Sequence, residues 1–208
     1  RNSRCMIIFG FGRGTGIVVD GVMVVRPDDS TTWQTLVDLP AEGEHIIQFQ
    51  ETTGAGVLGP VNEVRITLDT VAPTGSVTIN GGEPFTVSRD VTLDLTGDDA
   101  TSGLEAMRFS TDGGVSFNDW EPFANTKSLT LPEGDGSKEV RYQLKDKAGL
   151  VSEISSDTII LDTVAPSGSV KVNDDATYAT SLDVTLTLTA SDDTSGVDQM
   201  RFSTDGGQ

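Results

Sequence analysis

The chain repeats itself, and that bounds every fold it can adopt. LDTVAP stands at residues 68–73 and again at 161–166, and MRFSTDGG at 107–114 and again at 200–207. Both pairs lie 93 residues apart, and the stretches between them align without a gap, so that 29 of the 47 positions from Leu68 to Gly114 match their partners. Self-similarity at a fixed spacing means one folding unit used more than once. A fainter copy lies upstream. Shifted by 93, Ile47, Phe49, Gly56 and Val57 fall on Val140, Tyr142, Gly149 and Leu150; shifted by 84, Ile7, Phe9 and Phe11 fall on Val91, Leu93 and Leu95. The chain therefore reads as three units: 1–67, a degenerate copy lacking its first strand; 68–160, a complete copy; and 161–208, the N-terminal part of a further one. A chain that stops inside a unit is expected to belong to something longer.

Within the complete unit no segment combines helix formers with a helical apolar stripe, whereas alternation is everywhere. Val77 and Ile79 flank Thr78; Val91, Leu93 and Leu95 flank Thr92 and Asp94; Val140, Tyr142 and Leu144 flank Arg141 and Gln143. Apolar residues on one side and threonine on the other describe half-buried antiparallel strands. Clusters of turn residues separate them, among them Asn80-Gly81-Gly82, Asp98 to Gly103, Asp112-Gly113-Gly114 and Glu133 to Gly136. The expected strands are 76–79, 90–96, 105–110, 119–123, 127–131, 138–146 and 153–161. About seven short strands with a turn every ~8–12 residues predict an all-β fold, a row of antiparallel β-sandwich repeats of immunoglobulin or fibronectin III type.

The set LDT-x-AP-x-GS, VTL-x-LT, D-x-TSG, MRFS-x-DGG, Trp120-Glu121-Pro122 and KD-x-AG resembles the tandem Ig-like repeats of large bacterial surface and secreted proteins. The resemblance spans the chain, most clearly over 68–208. The first copy departs from it at Arg13 to Gly16, which replace the acidic TSG loop, and at Thr53, which replaces Asp146. It implies an extracellular or cell-surface setting and a non-enzymatic spacer forming a semi-rigid rod, in which each unit's partners are the neighbouring repeats. The Val71-Ala72-Pro73 and Val164-Ala165-Pro166 linkers are short and proline-restricted, which suits a rod. The alternatives are an adhesin or carbohydrate-binding module that contacts a cell-surface glycan or protein, and an accessory region of a secreted hydrolase. Such folds host many unrelated roles.

Composition narrows the partners. With 14 basic against 32 acidic residues, a net charge of −18 repels phosphate backbones and disfavours nucleic acid and anionic lipid. No apolar run approaches ~18 residues, so no membrane span is expected. The single cysteine, Cys5, cannot form an internal disulfide.

Catalysis lacks its parts. A serine or cysteine nucleophile needs a base, usually histidine. The one histidine, His45, sits in a strand of the degenerate copy and reads as partly exposed. Gly10, Gly12, Gly14 and Gly16 fit no phosphate-loop spacing, and no helix follows them. Trp33 aligns with Phe117, an interchange that suits filling a volume, so Trp120 is read as core rather than as a sugar platform. Tyr142 aligns with Phe49, so its ring is expected to matter more than its hydroxyl. The acids remain. Asp69 and Asp162 precede the linkers, and Asp98, Asp99, Asp192 and Asp193 lie in the loops after the second strands. Calcium takes about six to eight oxygens, which carboxylates gathered at a junction can supply. Asp69, Asp99, Asp162 and Asp192 are the candidate ligands, calcium being the one cofactor considered. The other reading of these residues is as turn formers that cap loops.

Overall fold

In the computed structural model the described residues are 4–10, 15–19, 22–24, 32–52, 57–204 and 206. The chain forms two compact units: 1–74 with 98–105 and 145–152, and 75–97 with 106–144 and 153–208.

The first unit is built largely from β1 (Arg4–Gly10), β2 (Thr15–Val19), β3 (Val22–Val24), β4 (Thr32–Asp38), β5 (Gly43–Thr52) and β6 (Leu58–Leu68). β1 pairs with β4, and a second antiparallel sheet runs β3-β2-β5-β6. Ile47, midway along β5, is fully buried. Of the four alternating glycines, Gly10 ends strand β1 and Gly16 lies in strand β2, while Gly12 and Gly14 lie outside the described residues.

The complete repeat supplies β7 (Thr74–Ile79), β8 (Phe85–Thr86), β9 (Asp90–Asp98), β10 (Leu104–Ser110), β11 (Glu121–Pro122), β12 (Thr126–Thr130), β13 (Gly136–Asp146) and β14 (Ser155–Leu161). Each expected strand is present within a few residues of its expected bounds. They form two sheets, β12-β9-β7 and β11-β10-β13-β14-β8. The alternation dictates the core. Val91, Leu93 and Leu95 of one sheet are buried, as are Phe109, Val140, Tyr142, Leu144, Ile159 and Leu161 of the other, while Thr92 and Asp94 face outward. Polar contacts tie the sheets together, among them the Tyr142 hydroxyl donating to the Thr96 carbonyl at 3.2 Å, the Ile79 amide donating to Asp157 Oδ2 at 2.8 Å and Lys127 Nζ donating to Glu121 Oε2 at 2.5 Å. The fold of this repeat is an all-β sandwich.

One strand lay outside the sequence-based expectation. β8 pairs with β14 in parallel, Ile160 opposite Phe85 and Leu161 opposite Thr86. A tight turn at Asn80–Gly82, with Asn80 and both glycines at positive φ, carries the chain from the β7 sheet across to the β14 sheet. Two residues are too few to show alternation, so β8 has no sequence signal.

The last segment forms β15 (Ser167–Val172) and β16 (Leu186–Ser191), an antiparallel pair. Its apolar residues have the identities of the middle repeat's core but different surroundings. Val170, Leu186 and Leu188 are 56%, 40% and 38% exposed, against 5%, 0% and 3% for their partners Val77, Leu93 and Leu95. The local devices are kept even so. Asn173 Oδ1 accepts from the Thr185 amide at 2.8 Å as Asn80 Oδ1 accepts from the Thr92 amide at 2.9 Å. Among the described residues no helix is long and apolar enough to cross a membrane.

Candidate functional site: the acidic clasps

Each LDT segment is held from two directions. On one side stands an acid in the turn before the preceding long strand. The Thr70 amide donates to Glu42 Oε2 at 3.0 Å, and the Thr70 hydroxyl also bonds Glu42. Asp135, 93 residues on from Glu42, does the same for Thr163, accepting from its amide at 3.1 Å and its hydroxyl at 2.9 Å. The glycines that follow these acids, Gly43 and Gly136, have φ of 110° and 107°, so the two turns share one backbone shape. The pairing that follows is shared as well: Gly43 lies opposite Leu68, and Gly136 opposite Leu161. The faint upstream similarity thus corresponds, over this stretch, to the same strand register and the same hydrogen bonds.

On the other side stands the D-x-TSG loop. Asp69 Oδ1 accepts from the Val71 amide and its Oδ2 from the Ser102 amide, both at 3.1 Å. Asp99 Oδ1 accepts from that same Ser102 amide at 3.0 Å and from Gly103 at 2.6 Å. Asp162 repeats this with Val164 and Ser195, both at 3.1 Å, and Asp192 Oδ1 accepts from Ser195 and Gly196, both at 2.9 Å. The loop glycine has φ +77° at Gly103 and +79° at Gly196, a conformation side chains rarely take, which explains the glycine of TSG. Hydrogen bonding from Ser102 holds the Asp69 carboxyl below the usual carboxylate range, and Ser195 does so for Asp162.

The structure therefore brings Asp69 to Asp99 and, separately, Asp162 to Asp192. Asp98 and Asp193 are exposed and take no part in these clasps. To the first pair it adds a residue that sequence reasoning passed over. One carboxylate oxygen from each of Asp69, Asp99 and Asp146 lies within 4.8 Å of the others. Asp146 is fully buried; its Oδ1 accepts from the Leu150 amide at 2.8 Å, whereas its Oδ2 has no hydrogen-bond partner. The signal was present in the sequence. Asp146 continues the inward series Val140, Tyr142 and Leu144 by one more alternation, which points a carboxylate to the side where the chain otherwise places apolar groups.

Two single-residue expectations are corrected. Trp120 is half-buried and not core. The Arg108 guanidinium lies 4.4 Å from its ring centroid and 4.6 Å from that of Phe117, and is itself oriented by two hydrogen bonds to Gln143 Oε1 at 3.1 and 2.7 Å. The guanidinium thus covers one face of each ring. His45 is buried rather than partly exposed, with Nε2 2.7 Å from the Ala41 carbonyl oxygen. Tyr142 is core as expected, its ring stacked on Phe109 with centroids 5.5 Å apart. The side chain of Trp33 lies outside the described residues.

No family model matches the chain, and no curated protein matches it. Among solved structures it is similar to the fibronectin(III)-like modules of Clostridium thermocellum CbhA, at 15% identity and a TM-score of 0.46, covering 77% of this chain and 86% of that one.

Proposed function

We propose that this chain is a non-enzymatic structural segment of an extracellular or cell-surface protein, in which immunoglobulin-like repeats joined by clasped junctions form a semi-rigid rod. One observation carries the reading. The junction residues Asp162 and Thr163 are bonded both to Asp135, in the turn of the preceding repeat, and to Ser195, in the loop of the following one, and Asp69 and Thr70 are bonded in the same way to Glu42 and Ser102. A linker whose backbone amides and side chains are fixed from both sides has lost most of the freedom of a flexible tether. The proline three residues after each threonine restricts it further.

Residual dipolar couplings test this at the second junction. Amides of β9 and β13 and amides of β15 and β16 should report one alignment tensor in the wild-type chain. Asp162→Ala with Thr163→Ala should split it into two. Separate tensors in the wild type would show a tether and remove the reading. The adhesin alternative makes the opposite demand: saturable binding on a glycan array, lost on substitution of an exposed loop residue.

A further inference from the structure

We propose that Asp69, Asp99 and Asp146 form a binding site for a hard divalent cation, calcium by the chemistry of its donors. Three carboxylates with mutually adjacent oxygens repel one another, and here they stand within 4.8 Å. Clustered acids alone would be unremarkable in so acidic a chain. The second observation is Asp146 Oδ2, which is sealed from solvent and lacks any hydrogen-bond donor. Buried carboxylate oxygens are almost always satisfied, and an unsatisfied one marks a missing partner. A cation supplies that partner and neutralises the repulsion at one point.

The rest of the site is already in place. Asp69 is positioned by Val71 and Ser102, Asp99 by Ser102 and Gly103, and Asp146 by Leu150, so binding would not have to order these side chains. Asp69 and Asp99 are only partly buried, leaving room for water to complete a shell of about six to eight oxygens. An all-oxygen donor set selects calcium or magnesium over zinc or copper, and a shell completed by water suits calcium, which tolerates varied geometry, better than magnesium, which demands a strict octahedron. Lys147 is the nearby protein cation, its Nζ 3.3 Å from where a Cβ on Gly103 would lie. It is exposed, and Asp146 Oδ2 stays unpartnered in its presence. The chain carries an internal control: Asp162 and Asp192 reproduce the Asp69–Asp99 pair, but among the described residues no third acid joins them.

The test is calorimetric titration of the metal-stripped full chain with calcium chloride, and separately with magnesium chloride, at physiological ionic strength. The expected result is one saturable calcium site with Kd about 0.1–1 mM, magnesium binding more weakly. Asp146→Asn and Asp99→Asn should each weaken it at least about tenfold, and Asp192→Asn should leave it unchanged. Calcium should also slow hydrogen exchange at 98–103 and 146–150, with reversal by chelator. Should Asp146→Asn fail to fold, Asp99→Asn and the exchange measurement carry the test. Absence of saturable binding up to about 10 mM overturns the proposal. So does binding retained in Asp99→Asn, or lost equally in Asp192→Asn.

Discussion

Gly75 and Gly168 occupy the same repeat position, and an added methyl group should have different consequences at the two. A Cβ on Gly75 would lie 2.4 Å from the Thr96 carbonyl oxygen, 2.6 Å from Leu144 Cδ1 and 3.3 Å from Gly97 Cα. The first obstacle is the backbone of the neighbouring strand β9 and cannot rotate away. The second is a fully buried core side chain with its own neighbours to displace. Overpacking of this kind costs about 1–3 kcal/mol. Gly75 has no positive φ, so alanine suffers no backbone strain there and recovers about 0.4–1 kcal/mol from the less flexible unfolded chain. The net loss is about 1–2 kcal/mol, a roughly 5–30-fold increase in the open population of the middle sandwich. Hydrogen exchange of the 90–98 amides, under conditions where exchange tracks the opening equilibrium, should accelerate by that factor in Gly75→Ala. At Gly168 the Cβ would meet the Thr189 carbonyl oxygen at 2.7 Å, but its other contacts lie at 3.6 Å and its sheet is exposed, so the strands can part. Gly168→Ala should therefore accelerate exchange of 186–191 by less. Unchanged or slower exchange of 90–98 in Gly75→Ala would refute the close approach of β7 to β9 on which the reasoning depends.

Leu93→Ala should destabilise the middle repeat by about 2–4 kcal/mol in denaturant titration and Thr92→Ala by well under ~1 kcal/mol, because one side chain is fully buried and its neighbour faces water; equal effects would mean a slipped register. Tyr142→Phe keeps the stacked ring and removes the bond to the Thr96 carbonyl, so its cost should be about 1 kcal/mol, against about 3–5 kcal/mol for Tyr142→Ala. Asp69, Asp112 and Asp162 are all held below the usual carboxylate range, Asp112 chiefly by the Ser116 hydroxyl. A depressed folded-state value stabilises fully above the unfolded value of about 3.9 and is lost as the pH falls through the folded one, so the melting temperature should hold from neutral pH to about 5 and fall below about 4. A melting temperature constant down to about pH 2 would contradict those bonds. Amides of β16 should exchange faster than those of β9, although the two strands share the pattern Val-Thr-Leu-x-Leu-Thr around them, because only β9 has a covered face.

How much of this was legible before folding depends on the range of the physics. Alternation is a local property, since each residue's face follows from its neighbour's, so β9, β13 and β14 and the inward side chains Leu93, Val140 and Tyr142 could be read directly. Turn residues act over a few positions, so DGG and TSG could be read as well. The exact spacing of 93 residues extended these local readings to a second copy, down to the asparagine that caps Thr92 in one and Thr185 in the other. What could not be read depends on residues far apart in sequence. β8 exists because β14, more than 70 positions later, offers it an edge. The ring of Trp120 meets Arg108 of β10, held there by Gln143 of β13, a pairing of residues far apart in the chain. The alternation already turned Asp146 inward, but only the folded sheet brings Asp69 and Asp99 to it from two other parts of the chain. Sequence determines which way a side chain points; tertiary structure decides what it meets there.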